Sequence, residues 1–130
     1  MPHILPALVT ILSLLLFFVF GVNVGRARGK YGVEAPATTG NPAFERVFRV
    51  HYNTMESLVI YLPGLWLFAF YVSDLWAAAL GVVWIVGRIL FAVGYYADAN
   101  KRAPGLVISM LTTVVLLLGA LVGVGLTLFR

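Results

Sequence analysis

The stretch GNPAFERVFRVHYNTME, residues 40–56, runs without a break into SLVIYLPGLWLFAFYVS, residues 57–73. Its first half carries Glu45, Arg46, Arg49 and Glu56, and its second half carries no charge at all. One helix is predicted here, from near Asn41 or Pro42 to about Val72, polar at one end and apolar at the other. Such a helix fits a membrane-embedded chain whose charges are gathered near one face. Pro63 falls inside the apolar half and should kink it, which membrane helices tolerate when neighbours satisfy the freed carbonyl.

The rest of the chain supports this reading. Ile4 to Val24 contains no charged side chain and has about the length needed to cross a bilayer, with Pro6 in its first turn, where a missing N–H costs little. A cleaved signal peptide is the competing reading. The segment lacks a basic start, is longer than a signal-peptide apolar region, and is followed by no clean small-residue cleavage site. Arg26 to Pro42 reads as a polar loop, with Pro36, Gly40 and Pro42 as breakers. Asp74 marks a short turn, and Leu75 to about Ala97 forms a third helix interrupted by one charge, Arg88. Asp98 to Pro104 is a polar turn, and Ala103 to Phe129 is again uncharged, giving a fourth helix. The prediction is an all-α, integral membrane four-helix bundle in a single domain over residues 1–130.

Composition agrees. Of 130 residues, 62% are hydrophobic and 11% charged, and mean hydropathy is +0.98. A soluble domain carries about a quarter charged residues, so this chain could not cover a water-facing exterior. Four helices that also face lipid bury little core alone, so oligomerisation is expected. The net charge of +4 comes from basic residues in short segments flanking apolar runs. They read as topology signals and site residues, and no nucleic-acid partner is expected. The absence of cysteine excludes disulfides, thiolate metal sites and a catalytic thiol of the protein's own. Arg26, Arg28, Lys30 and Arg46 surround the first connection, Lys101 and Arg102 lie in the third, and the second has neither Lys nor Arg. The positive-inside rule then places the first and third connections in the cytoplasm and both termini on the opposite side.

Charges near or within spanning helices need a reason, because each costs about 2.5–3.5 kcal/mol at a helix centre. On the second helix Arg49, Asn53 and Glu56 follow i, i+4, i+7 and share a face. On the third, Arg88, Phe91, Tyr95 and Asp98 follow a comparable stripe. Two such stripes near one membrane face can converge on a pocket. The structural alternative is that Arg49 or Arg88 pairs with Glu56 as interhelical glue. Glue explains one pair but not the remaining arginine, Asn53 and Tyr95 at similar depth. Excess positive charge with one carboxylate suits a small molecule bearing two carboxylates and an ammonium, since guanidinium forks hold carboxylates.

Residues 40–56 resemble the signature of the MAPEG family, the membrane-associated proteins of eicosanoid and glutathione metabolism. One branch of that family reads roughly G-x-x-x-F-E-R-V-[FY]-x-A-[NQ]-x-N-C. Here Val50, His51 and Thr54 depart from it. GRILFAVGY, residues 87–95, and KRAPG, residues 101–105, are similar to further family segments, so the resemblance covers nearly the whole chain. It implies a homotrimer in which glutathione, as co-substrate, binds between neighbouring subunits at the cytoplasmic side. Arg49, Asn53 and Glu56 would hold the peptide's charged ends, with Arg88 and Tyr95 lining the same cleft and Arg28 reaching in from the adjacent subunit. Arg102 matches the arginine that faces the thiol in leukotriene C4 synthase-like members, although composition alone reads it as a loop charge beside Lys101.

The implied function is a membrane glutathione transferase, with glutathione peroxidase activity as an additional capacity, acting on a lipophilic electrophile or hydroperoxide held among membrane lipid. Ser57 and Phe91 stand where the eicosanoid branch has tyrosine, so leukotriene synthesis is not implied. Two rival readings are a non-catalytic lipid-presenting scaffold, which lacks an arginine at the position of Arg102, and a transporter using the arginines as an anion path. Elsewhere, Gly21 and Gly25, and Gly119 and Gly123, form G-xxx-G pairs suited to close helix packing. Trp66, Trp76 and Trp84 read as packing or interfacial anchors. His3 and His51 show no metal-binding spacing, so no metal is expected.

Overall fold

A computed structural model describes residues 2–130. Four helices follow one another: α1 (Ile4–Tyr31), α2 (Pro42–Tyr71), α3 (Asp74–Ala97) and α4 (Ala103–Leu128), with a 3-10 turn at Ala99–Lys101. All four are long and apolar enough to cross a membrane. Chain reversals place the end of α1, the start of α2, the end of α3 and the start of α4 at one end of the bundle.

Each boundary has a local cause. Asn41 caps α2 by accepting the Phe44 N–H at 3.0 Å, and Pro42 opens it. Ser73 caps α3 through the Trp76 N–H at 3.2 Å, and Asp98 turns the chain after α3 by accepting from Asn100 N–H at 2.9 Å. α2 continues through Pro63 to Tyr71; Pro63 lies on an exposed face.

α1 differs from the expectation. Residues 26–31, predicted as loop, form its last turns, and the connection spans only residues 32–41. Arginine and lysine are good helix formers and complement the negative end of the helix dipole. The helix stops one residue later, where Gly32 takes a φ of 68° and Val33 N–H returns to Arg28 O at 3.1 Å. Arg26, Arg28 and Lys30 are thus fixed on a rigid rod.

The core is narrow, and its outer face is apolar. Tyr61 and Trp84 stack with ring centroids 4.0 Å apart at its centre, tied to Ser13 and Ser57 by their polar atoms. Leu65, Leu116, Ala77 and Ala120 pack around them. Leu8, Phe18, Val59, Leu111 and Leu121 are among the large apolar side chains left exposed, as a lipid-facing surface requires. Trp84 is buried core, Trp66 donates to Thr10 at 3.0 Å, and Trp76 is exposed at a helix start. Gly119 meets the Phe68 ring and Gly123 the Tyr71 carbonyl, so that pair does bring α4 against α2. Gly25 faces open space, and only Gly21 of the first pair meets a neighbour, the His51 ring. The tightest approach lies elsewhere: a Cβ on Gly105 would collide with the Phe91 amide and the Gly87 carbonyl. This contact locks α3 to α4 beneath the pocket described next.

Candidate functional site

At the polar end, α2, α3 and the start of α4 enclose a cavity of about 120 Å³ lined by Arg49, Tyr52, Asn53, Glu56, Phe91, Tyr95, Arg102 and Leu106. Six residues singled out in the sequence (Arg49, Asn53, Glu56, Phe91, Tyr95 and Arg102) therefore meet in one place. Helical spacing explains the α2 contribution: Arg49, Asn53 and Glu56 project from one face, and the tight α3–α4 packing carries Tyr95 and Arg102 to it.

Arg88 lies behind the cavity. It is 1% exposed, and its Nη1 donates to Asn53 Oδ1 at 2.6 Å, with Thr54 Oγ1 at 3.5 Å. Its guanidinium carbon lies 4.9 Å from the Phe91 ring centroid and 5.7 Å from that of Trp84. Its Nε is buried without a partner. Arg88 thus aims the Asn53 amide and adds positive potential from the interior. It also borders a second, more apolar groove of about 380 Å³ between α2 and α4, which shares Asn53, Glu56 and Leu106 with the first.

The glue alternative does not hold. Among the described residues the one contact within salt-bridge range joins the His3 imidazole to the Asp74 carboxylate, at the other end of the bundle. Neither Arg49 nor Arg88 pairs with Glu56, so two guanidinium groups and one carboxylate line the cavity, with Arg88 behind it, without neutralising one another. Arg102 is exposed. Its Nη1 donates to Ala99 O at 2.6 Å, and its guanidinium carbon sits 5.7 Å from the Tyr95 ring centroid. That bond ties the arginine to its own turn and steadies it at the pocket mouth.

Arg28 is not brought to this cavity. Its Nη1 donates to Ala37 O at 2.7 Å and lies 3.4 Å from Val33 O, while its guanidinium carbon sits 5.0 Å from the Phe44 ring centroid. Within one chain it staples the α1–α2 connection. Tyr52 and Leu106 line the cavity without having been singled out. The signal for Tyr52 was present, since it stands three residues after Arg49 and four before Glu56. Ser57, a departure from the family pattern, accepts the Trp84 indole N–H at 3.2 Å and so belongs to the packing behind the site.

Together these features define a four-helix membrane protein with a cationic pocket at one end of its bundle, open beside an apolar groove. The sequence model of the MAPEG family matches residues 6–122. An uncharacterized protein of Synechocystis sp. is 56% identical over 119 residues, 92% of this chain and 87% of its own. Microsomal glutathione S-transferase 2 of Homo sapiens is 44% identical over 119 residues, 91% of this chain and 81% of its own. Leukotriene C4 synthase of Cavia porcellus is 38% identical over 96 residues, 74% of this chain and 64% of its own. The chain belongs to the MAPEG family.

Proposed function

We propose that the chain, acting as a single domain over residues 1–130, is a membrane glutathione transferase that ionises the glutathione thiol for attack on lipophilic electrophiles. The observation that carries this reading is the meeting of Arg49, Asn53, Glu56, Tyr95 and Arg102 in one cavity, with no ion pair formed among them. Similarity to proteins named as glutathione transferases supports it.

In this mechanism Arg49 takes a peptide carboxylate, Asn53 is held in place by Arg88, and Glu56 accepts from the ammonium. Arg102 faces the sulfur. A free thiol has a pKa of about 8.5, so little thiolate exists at neutral pH. A guanidinium beside it stabilises the anion, and each unit of lowering requires about 1.4 kcal/mol of preferential stabilisation. The thiol proton leaves to water. The thiolate then forms a carbon–sulfur bond with an electrophile entering from the apolar groove between α2 and α4, while the leaving group departs or an opened ring oxygen takes up a proton. A lipid hydroperoxide in the same position would be reduced at the expense of two thiols.

The cavity of about 120 Å³ is smaller than the roughly 300–1,000 Å³ of ordinary ligand sites. A second subunit closing over it would complete the site, which favours a homotrimer with glutathione between subunits and Arg28 contributed by the neighbour. The basic connections would then face the cytoplasm, with the termini opposite.

Titration of purified protein with glutathione near neutral pH, following thiolate absorbance, tests the reading directly. A thiolate signal in the parent that is lost in Arg102→Ala is the expected result. No signal in the parent would remove the mechanism, and an undiminished signal in the variant would move the activating role elsewhere. Native mass spectrometry reads the number of subunits.

A further inference from the structure

On another face of the same end lies a second polar groove, sharing no residue with the cavity above. It has a volume of about 360 Å³, and Asn23, Arg26, Lys30, Tyr31, Arg46 and Tyr96 are among its lining residues. Three cations from two helices enter it, and no carboxylate lines it. Arg26 and Lys30 stand one turn apart on α1, both exposed. Arg46 reaches across from α2, its Nε donating to Tyr96 O at 3.2 Å, and Asn23 donates to the Tyr96 hydroxyl at 3.2 Å. The Arg46 terminal nitrogens make no hydrogen bond among the described residues. Ala43, in the first turn of α2, lines the same groove, so the positive end of that helix dipole adds to the field.

Solvated topology charges would account for three separate cations. They do not account for a walled groove in which tyrosine and asparagine side chains stand among those cations, one of them fixed by its Nε to a backbone carbonyl. The face of α1 below the groove points to what fills it. Leu12, Leu15 and Val19 precede Asn23, Arg26 and Lys30 at helical spacing, and those three apolar side chains are exposed. One face of α1 therefore runs from an apolar track into a cationic cup.

We propose that this groove binds the phosphate headgroup of an anionic phospholipid, whose acyl chain lies along Leu12, Leu15 and Val19. A free phosphate would use the cup but not the track. Arg46 and the Tyr96 hydroxyl bind at the inner wall, and Arg26 and Lys30 close over the outer oxygens.

Native mass spectrometry of the protein equilibrated with equal phosphatidylglycerol and phosphatidylcholine tests this, with inorganic phosphate as a separate arm. The parent should retain phosphatidylglycerol preferentially. A doubly substituted Arg26→Gln, Lys30→Gln protein, altered only at exposed positions, should lose about 25-fold of that preference, at roughly a factor of five per cation. Arg46→Gln should also lower it, and Lys101→Gln should leave it unchanged. No preference in the parent, or an equal loss in Lys101→Gln, would overturn the site in favour of diffuse attraction. Displacement of the lipid by inorganic phosphate would assign the cup to a free anion. A changed subunit number in the double variant, with lipid retained, would assign the groove to a subunit contact.

Discussion

The two ends of the bundle treat charge in opposite ways. At one end His3 and Asp74 find each other: Nδ1 lies 2.9 Å from Oδ1, and the His3 amide donates to Oδ2 at 2.7 Å, tying the start of α1 to the start of α3. At the other end Arg49, Glu56 and Arg102 line one cavity with Arg88 behind it, and among the described residues they form no ion pair. Helices free to place charged side chains usually satisfy them within the chain, because an unmet charge near a low-dielectric core is costly. The Asp74 carboxylate is met within the fold. The charges around the cavity are left for the ligand proposed above.

The strongest way to break this contrast is Arg102→Ala. The residue is exposed, and among the described residues its side chain bonds only to Ala99 O, so Tm should hold. Conjugation of a model apolar electrophile should fall by about 10²–10³-fold, the range seen when one preorganised stabilising donor is removed. The pH profile should also move. With Arg102 present, rate should rise to its plateau below pH ~8.5; in the variant the rise should shift up toward the free-thiol value of about 8.5. A profile that keeps its midpoint would mean that Arg102 serves the turn alone.

Glu56→Gln should have the next largest effect. Replacing the carboxylate offered to an ammonium should raise KM for glutathione by about tenfold, as for loss of a hydrogen bond to a charged group, with kcat little altered. A fall in kcat at constant KM would place Glu56 in the chemistry instead. Arg28→Ala separates two roles for one residue. If Arg28 reaches a ligand held by a neighbouring subunit, glutathione affinity should drop about fivefold with Tm nearly constant. If it only staples residues 33–37, Tm should fall and affinity stay.

Most of the fold could be read from the chain because hydropathy and charge blocks carry it. The four spans and the α2 limits at Pro42 and Tyr71 follow from apolar run length and breakers. The end of α1 did not follow, because polarity alone points to a loop while Arg26, Arg28 and Lys30 favour helix and Gly32 supplies the stop. The site was legible where one helix supplies it, since i, i+4, i+7 spacing fixes Arg49, Asn53 and Glu56 on a face. Joining Tyr95 and Arg102 to that face depends on the Gly87–Gly105 contact, which lies between helices and leaves no periodic mark. For the same reason the burial of Arg88 against Asn53, and its failure to pair with Glu56, could not be read from spacing. The resemblance has Arg28 reach the site from an adjacent subunit; within one chain it bonds to Val33 O and Ala37 O.

The smallest expected effect tests the opposite end. In Asp74→Asn the side chain can still accept from the His3 amide, but it loses the charge that attracts the imidazole and favours the first turn of α3. Both side chains are about one-third exposed, at 37% and 30%, and water screens such pairs strongly. Tm should therefore fall by no more than a few degrees, while conjugation rate, KM for glutathione and thiolate absorbance stay at parent values. A loss of activity comparable with that of Glu56→Gln would show that the far end of the bundle sets the geometry of the pocket. The unmatched charges would then depend on the matched pair, and the division between the two ends would fail.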